Sequence, residues 1–268
     1  MTNRVRLRWK SYRQRFVPWL MWNWRTRQIR KANVSEPLLG EDEILYQLKT
    51  FLTSLHSKIA DRQSVGQSSV ATLSDQVMKD VCGFVLERRD SKLPGLSGRG
   101  VFVKDGIVPA RNVVALYPGT VYMLFEPLLV QSISNQFVFR CVDGVHIDGK
   151  DRGLSRMIYK SCVQRERVGT TLIGDLSWMT PHPTNPLNIG QYVNNHTKEF
   201  EPNVEYVEFT IPSDFPFQLR KYVPNIHFSP HDVLDNEGIR PLRSVALVSR
   251  KLIPVNEELY SSYITLVK

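Results

Sequence analysis

The stretch GQYVNNHTKEFEPNVEY, residues 190–206, decides how this chain is read. It sets Asn194, Asn195 and His196 ahead of a Pro202-Asn203 pair, then runs into valine and tyrosine. By itself it fits an ordinary polar turn before a strand, since asparagine tolerates unusual backbone angles. It fits the floor of a pocket equally well. The segments around it supply the context.

From residue 94 onward the chain is a series of short β-rich runs. They are GVFV (100–103), NVVALY (112–117), QFVFRC (136–141), GVHID (144–148), NVEYVEFTI (203–211) and SVALVSR (244–250). Gly, Pro, Asn and Asp separate them, as expected for strands and turns. No helical segment alternates regularly with them, which argues against a doubly wound parallel sheet. The expectation is a mainly β domain over 94–268 with α additions. Two stretches interrupt it: 149–188, basic and then Pro/Thr-rich, and 213–242, rich in Pro, Asp and Asn.

A helical region, 36–93, precedes that domain. Ile44, Leu48, Phe51, Leu52, Leu55 and Ile59 form one stripe and predict a helix over 41–62. Val70, Leu73, Val77 and Val81 predict a second over about 69–88, with the polar turn RQSVGQSS between them. Residues 1–35 are an arm of another character. Residues 1–31 hold ten Lys/Arg and no acid, whereas the rest of the chain carries 25 bases against 26 acids. The overall charge of +9 therefore comes from the arm, at +10, while the rest sums to −1. Val5, Trp9, Tyr12 and Phe16 recur at helical spacing within it. Such a segment can dock its aromatic face on the main domain. It can also direct import into mitochondria, or grip an acidic partner, either nucleic acid or a membrane surface.

Other classes are disfavoured. No apolar run approaches the ~18–20 residues of a membrane span, and no apolar segment follows the first charges as in a secretory signal. Cys82, Cys141 and Cys162 are odd in number, far apart and without a C-x-x-C pair. That spacing gives neither a disulfide framework nor a thiolate zinc cage, so a reducing, intracellular compartment is expected. The six histidines have no metal-ligand spacing, and no metal is expected. There is no phosphate loop, zinc helix or nucleophile elbow.

Three segments then matter together and in order: GRGVFVKDGIVPARNVVALYPG (98–119), GQYVNN…PNVEYVEF (190–209) and VALVSRKLIPVNEELYSSY (245–263), with VDGVHIDG (142–149) as a weaker fourth. This set resembles the SET-domain family of S-adenosylmethionine-dependent protein lysine methyltransferases. Members carry G-x-G-V, a "Y-x-G" strand end, an "R-F-I-N-H-S-C-x-P-N" block and a closing "G-E-E-L-x-x-x-Y". The arm beginning RWKSYRQRFVPW, together with YVNN, is similar to the subfamily named SET domain-containing protein 9. The resemblance spans roughly Gly98 to Tyr263 and implies a β-clip-like fold of short strands.

The resemblance also implies a site. Gly98, Arg99 and Gly100 would wrap the methionine end of S-adenosylmethionine, since glycine lets backbone approach a ligand closely. Asn194 falls on the motif asparagine, whose amide would meet the cofactor, and Asn195 stands where the family has histidine. His196 is a lesser candidate for the "N-H" pair. Tyr263 falls on the closing tyrosine, which lines the lysine channel in the family. The implied partner is a protein lysine. The departures are Gln191, Asn195 and Asn256 at family arginine, histidine and glycine positions, and a longer loop before Pro202. No cysteine cluster follows Tyr263, so a channel wall would come from 149–188, 213–242 or the helices. These departures keep open a catalytically inactive SET-like protein-interaction module. Glu257 and Glu258 read as a solvated turn or helix start without a chemical role.

Overall fold

The computed structural model describes residues 37–65, 69–93, 98–133, 135–168, 170–229 and 239–262. The basic arm, with its predicted aromatic stripe, and Tyr263 lie outside the described residues. The first helix, α1 (Glu41–Val65), opens with Glu41, Asp42 and Glu43 in its first turn, where the macrodipole favours acids. Its stripe is the predicted one: Ile44, Leu48, Phe51, Leu52 and Leu55 are buried in the main core. Helix α2 (Val70–Cys82) begins at Ser69, whose side chain accepts from Thr72 N–H.

This second helix stops short of the predicted 88. Gly83 caps it at φ 82°, in the left-handed region, and donates its N–H to Lys79 O. The chain reverses into strand β1 (Phe84–Asp90), which pairs antiparallel with β2 (Arg99–Gly106). Val81, placed on the helix stripe by periodicity, is more than a third exposed, while Phe84, Val85 and Leu86 are buried as strand residues.

The remaining strands are β3 (Val113–Leu116), β4 (Gly119–Tyr122), β5 (Val138–Arg140), β6 (His146–Asp148), β7 (Arg167–Val168), β8 (Thr171–Leu172), β9 (Asn194–Asn195), β10 (Val204–Ile211), β11 (Asn225–His227), β12 (Leu242–Ser249) and β13 (Tyr260–Ser261). Each of the six β-rich runs read from the sequence overlaps a strand, the first of them β2. One sheet has the order β3-β12-β10-β13-β9 and a second β11-β4-β6-β5. β12 is central in the first and nearly all buried, as a strand covered on both faces should be.

Gly119 shows why the "Y-x-G" strand end ends in glycine. Its φ is 139°, and a Cβ there would lie 2.2 Å from the carbonyl oxygen of Asp148 on the neighbouring strand.

The first interruption is more ordered than its composition implies. Between the short helix α3 (Leu129–Ser132) and the turn helix α5 (Phe217–Arg220), it contains helix α4 (Gly153–Arg165). Ser155, Tyr159, Cys162 and Val163 form its buried side, and a small second core joins Tyr159, Cys162 and Val163 to Trp178, Met179 and Ile226. Among the described residues, no helix is long and apolar enough to cross a membrane.

The terminal strand has the unusual place. β13 is inserted between β9 and β10, parallel to both, although those two are joined in sequence by the loop of 196–203.

Candidate functional site

Insertion of β13 brings the quoted stretch against the chain's closing motif. Tyr260 pairs with Asn194, and Ser261 with Asn195. Asn203, at the end of the loop, fastens the join. It donates its backbone N–H to Tyr260 O (2.9 Å), and its side-chain oxygen accepts from Tyr260 N–H (2.8 Å). Its amide also donates to Glu258 O at 2.9 Å and to Glu257 Oε1 at 3.0 Å. Only an amide side chain supplies donor and acceptor together in this way.

Glu258 lies beneath this join, 1 % exposed. Its carboxylate accepts from Ser91 Oγ (2.7 Å), Lys92 N–H (2.8 Å), Asn194 Nδ2 (2.9 Å) and Tyr260 OH (2.8 Å). The expectation of a solvated turn is therefore wrong for Glu258. A bridge between Phe102 and Glu258 holds the residue against β2, where neutral donors replace water. Gly100 makes the space: a Cβ there would sit 2.1 Å from Glu258 Oε1. The neighbour that accounts for this glycine is thus a side chain of the protein itself.

Several sequence-derived candidates meet here. Asn194 is half-buried and donates to Arg99 O (3.2 Å) as well as to Glu258. Gly98 O accepts from Ser91 N–H at 3.0 Å. The Arg99 side chain is exposed, and so is Asn195, one residue further along β9. His196 donates its backbone N–H to Ser261 O (2.8 Å). Tyr263 lies outside the described residues, so its position relative to this floor is not described.

Beside the floor is a cavity of about 400 Å³ lined by Lys92, Glu199, Phe200, Glu201, Lys251, Glu257, Glu258 and Tyr260. The rings of Phe200 and Tyr260 lie 5.1 Å apart, tilted by 30°. Burial, reinforced by the Glu258 carboxylate, holds the Tyr260 hydroxyl pKa well above the usual phenol range. Four carboxylates against two ammonium groups make the lining acidic in balance.

Asn256 explains one departure from the family pattern. Its φ is 65°, a left-handed angle natural to glycine and tolerated by asparagine. Arg89 donates to its side-chain and backbone oxygens (3.3 Å each), and Lys92 Nζ to its backbone oxygen at 2.9 Å.

Away from this site, Cys141, Asp143 and Glu208 bring ligand atoms within 4.8 Å of one another. Arg243 ion-pairs with both carboxylates, at 3.3 and 2.7 Å, and offsets one of their two charges.

Sequence reasoning missed Glu258, Ser91, Lys92 and Phe200 as parts of the floor and its cavity. Asn203 carried a signal, the Pro-Asn pair. Glu258 stands in the closing motif, whereas Ser91, Lys92 and Phe200 carry no local signal.

No protein-family model matches the chain. It is 37% identical to the human SET domain-containing protein 9 over 294 aligned positions, covering 97% of this chain and 96% of the relative. It is 41% identical over 238 positions to the SET domain-containing protein 9 of Pongo abelii, covering 85% and 84%. Among solved structures, the crystal structure of CpSET8 from Cryptosporidium aligns with 82% of this chain and 97% of that one, at 13% identity and a TM-score of 0.32, a likeness too slight to bear on the fold.

Proposed function

The chain belongs to the SET domain-containing protein 9 family, and from that premise we propose that it transfers a methyl group from S-adenosylmethionine to a lysine side chain of a protein. The observation that carries this reading is the meeting of Arg99–Gly100, Asn194 and Glu258 beside one cavity.

The residues present fit the cofactor. A cavity of about 400 Å³ falls within the ~300–1,000 Å³ typical of small-molecule sites. The Phe200 and Tyr260 rings suit a planar base. The excess of carboxylates suits a ligand bearing a sulfonium and an ammonium, and Lys92 and Lys251 suit its single carboxylate. Gly98, Arg99, Gly100, Asn194 and Asn195, which adjoin the floor but do not line this cavity, are the residues the family resemblance would have hold it. When bound, the cofactor supplies an electrophilic methyl group on sulfur.

The chain's own task is then alignment and a neutral amine, more than acid–base chemistry. A lysine of pKa ~10.4 is mostly protonated near neutrality, a penalty of about 4–5 kcal/mol. An apolar, aromatic channel disfavours the ammonium and lowers that penalty. We assign the closing wall of such a channel to Tyr263, with its hydroxyl orienting the transferred group through weak contacts.

The test is transfer of labelled methyl from S-adenosylmethionine to lysine-bearing proteins, including the chain itself. Tyr263→Phe is expected to lower the rate roughly hundredfold, the scale of losing one aligned polar group in the transition state. Undiminished transfer by a folded Tyr263→Phe variant contradicts the assignment. A second reading, a non-catalytic interaction module, draws support from one feature: both Asn194 amide hydrogens are already engaged within the protein. Turnover on any lysine substrate rules that reading out.

A further inference from the structure

Among the described residues, exposed large apolar side chains gather between residues 124 and 157. A tight turn presents the first two. Glu126 N–H donates to Met123 O at 3.1 Å, and the Glu126 carboxylate accepts from Met123 N–H at 2.7 Å. The turn is thereby closed twice, with Leu124 and Phe125 at its tip. Phe125 is 100 % exposed. Helix α3 and its C-terminal cap follow at once and expose Leu129, Val130 and Ile133.

Two more elements extend this surface. The turn between β5 and β6 carries Val142, 87 % exposed, and it touches Leu124: a Cβ on Gly144 would lie 2.5 Å from Leu124 Cδ2. Asn135 joins α3 to α4, since its amide donates to Gln131 O (3.0 Å) and Ser155 Oγ (3.4 Å). This brings Leu154 and Met157, exposed on α4 near Ser155, up to the same surface.

An apolar surface of this kind marks a place of contact. Its shape and charge choose the partner. The Phe125 ring stands out from a closed turn and lines no groove. A bilayer interface accommodates a protruding ring, whereas a protein partner needs a matching pocket. The surrounding charge is basic: Arg140, Arg152 and Lys160 are exposed on the same elements. The acids beside them are engaged within the protein, Glu126 by its own turn, Asp143 by Arg243, Asp151 by the Tyr192 hydroxyl and Glu166 by Arg165. Apolar side chains set among arginine and lysine suit anionic lipid. The same charge disfavours the chain's own basic arm as the occupant.

We propose that the turn 123–126, helix α3 and the outer side of α4 dock on an anionic phospholipid bilayer, with Phe125 and Leu129 entering the interface and Arg152 and Lys160 meeting lipid phosphates. The contact is peripheral, and it is independent of the cofactor reading.

The experiment is co-sedimentation of the full chain with vesicles of phosphatidylcholine, alone or mixed with phosphatidylserine, with hydrogen exchange measured on the bound chain. Binding to the mixed vesicles alone is expected, weakened by salt, with new protection over 123–133. Phe125→Ser combined with Leu129→Ser should weaken it about tenfold per side chain at an unchanged thermal midpoint. Lys160→Glu should weaken it about fivefold. The arm is a second basic element, so the double variant and the protection over 123–133 are the deciding readouts. Binding unchanged in the double variant, or without that protection, overturns the proposal and leaves the arm as the contact. No binding to mixed vesicles, or equal binding to neutral ones, overturns it as well. So does protection of 123–133 without vesicles that vanishes on deletion of residues 1–31, when the arm covers the patch, or on dilution, when a second copy does.

Discussion

Among the described residues three carboxylates are buried, Asp148, Asp175 and Glu258, and the difference between the last two separates a site from a scaffold. Asp175 lies in the first interruption, 4 % exposed. It accepts from Ser177 N–H and Oγ and from Asn188 Nδ2, all within thirteen residues of itself. Glu258 is held by the same kind of neutral donors, but they come from residues 64 to 167 positions away, apart from Tyr260. Asp175 organises its own loop beside the small core of Tyr159 and Trp178, with Tyr159 OH donating to its backbone oxygen. Glu258 joins segments that have no other reason to meet, and it borders a cavity. A buried charge with local partners holds up a turn. One with distant partners and an open side is a candidate for function.

Removal of Glu258 should have the largest effect. Glu258→Ala leaves up to four donors without their acceptor, at ~1–3 kcal/mol for each that stays buried, so a loss of roughly 3–5 kcal/mol is expected. Chemical denaturation measures it. A loss under 1 kcal/mol would mean that the floor relaxes easily and the contrast with Asp175 is empty.

Asp175 should show itself through pH. Burial raises its carboxyl pKa to about 6, so the folded state holds a proton that the unfolded state has already released. This contribution to stability is greatest below about pH 4 and falls as the pH rises to about 6, by about 3 kcal/mol. Asp175→Asn should flatten the slope between those values, with little effect on ligand binding. A large loss of binding there would erase the distinction between the two carboxylates.

Gly100→Ala tests the contact between β2 and the floor. The new methyl group collides with Glu258 Oε1 and should cost about 1–3 kcal/mol, as overpacking does. In a Glu258→Ala background most of that cost should vanish. Simple additivity would show that Gly100 serves something else.

The smallest effects belong to Asn256. Asn256→Gly should be neutral within about 0.5 kcal/mol and Asn256→Ala should cost roughly 1 kcal/mol, because only the latter resists a φ of 65°. Equal thermal midpoints for the two variants would detach the left-handed angle from the family glycine.

Much of the frame was legible because it rests on local pattern. The stripe from Ile44 to Leu55 marks α1, and alternation in NVEYVEFTI marks β10, whose odd and even residues fall on different faces. The end of α2 was misread since Phe84, Val85 and Leu86 continue an apolar run; the stop signal was Gly83, a lone glycine. Helix α4 was hidden by basic residues, though Ser155, Tyr159, Cys162 and Val163 keep helical spacing. The floor was half legible. Asn194 and the glycines stand out by type and order. Nothing near Glu258 in sequence marks it as buried, because its environment exists only after β13 has entered between β9 and β10.

The central claim is that this floor belongs to a working cofactor pocket. Calorimetric titration of the full chain with S-adenosylmethionine, alongside Asn194→Ala, tests it most directly. Saturable binding by the wild type is expected, weakened about tenfold or more in a variant that remains folded. Absence of binding by the well-folded chain, or equal binding by the variant, would contradict it.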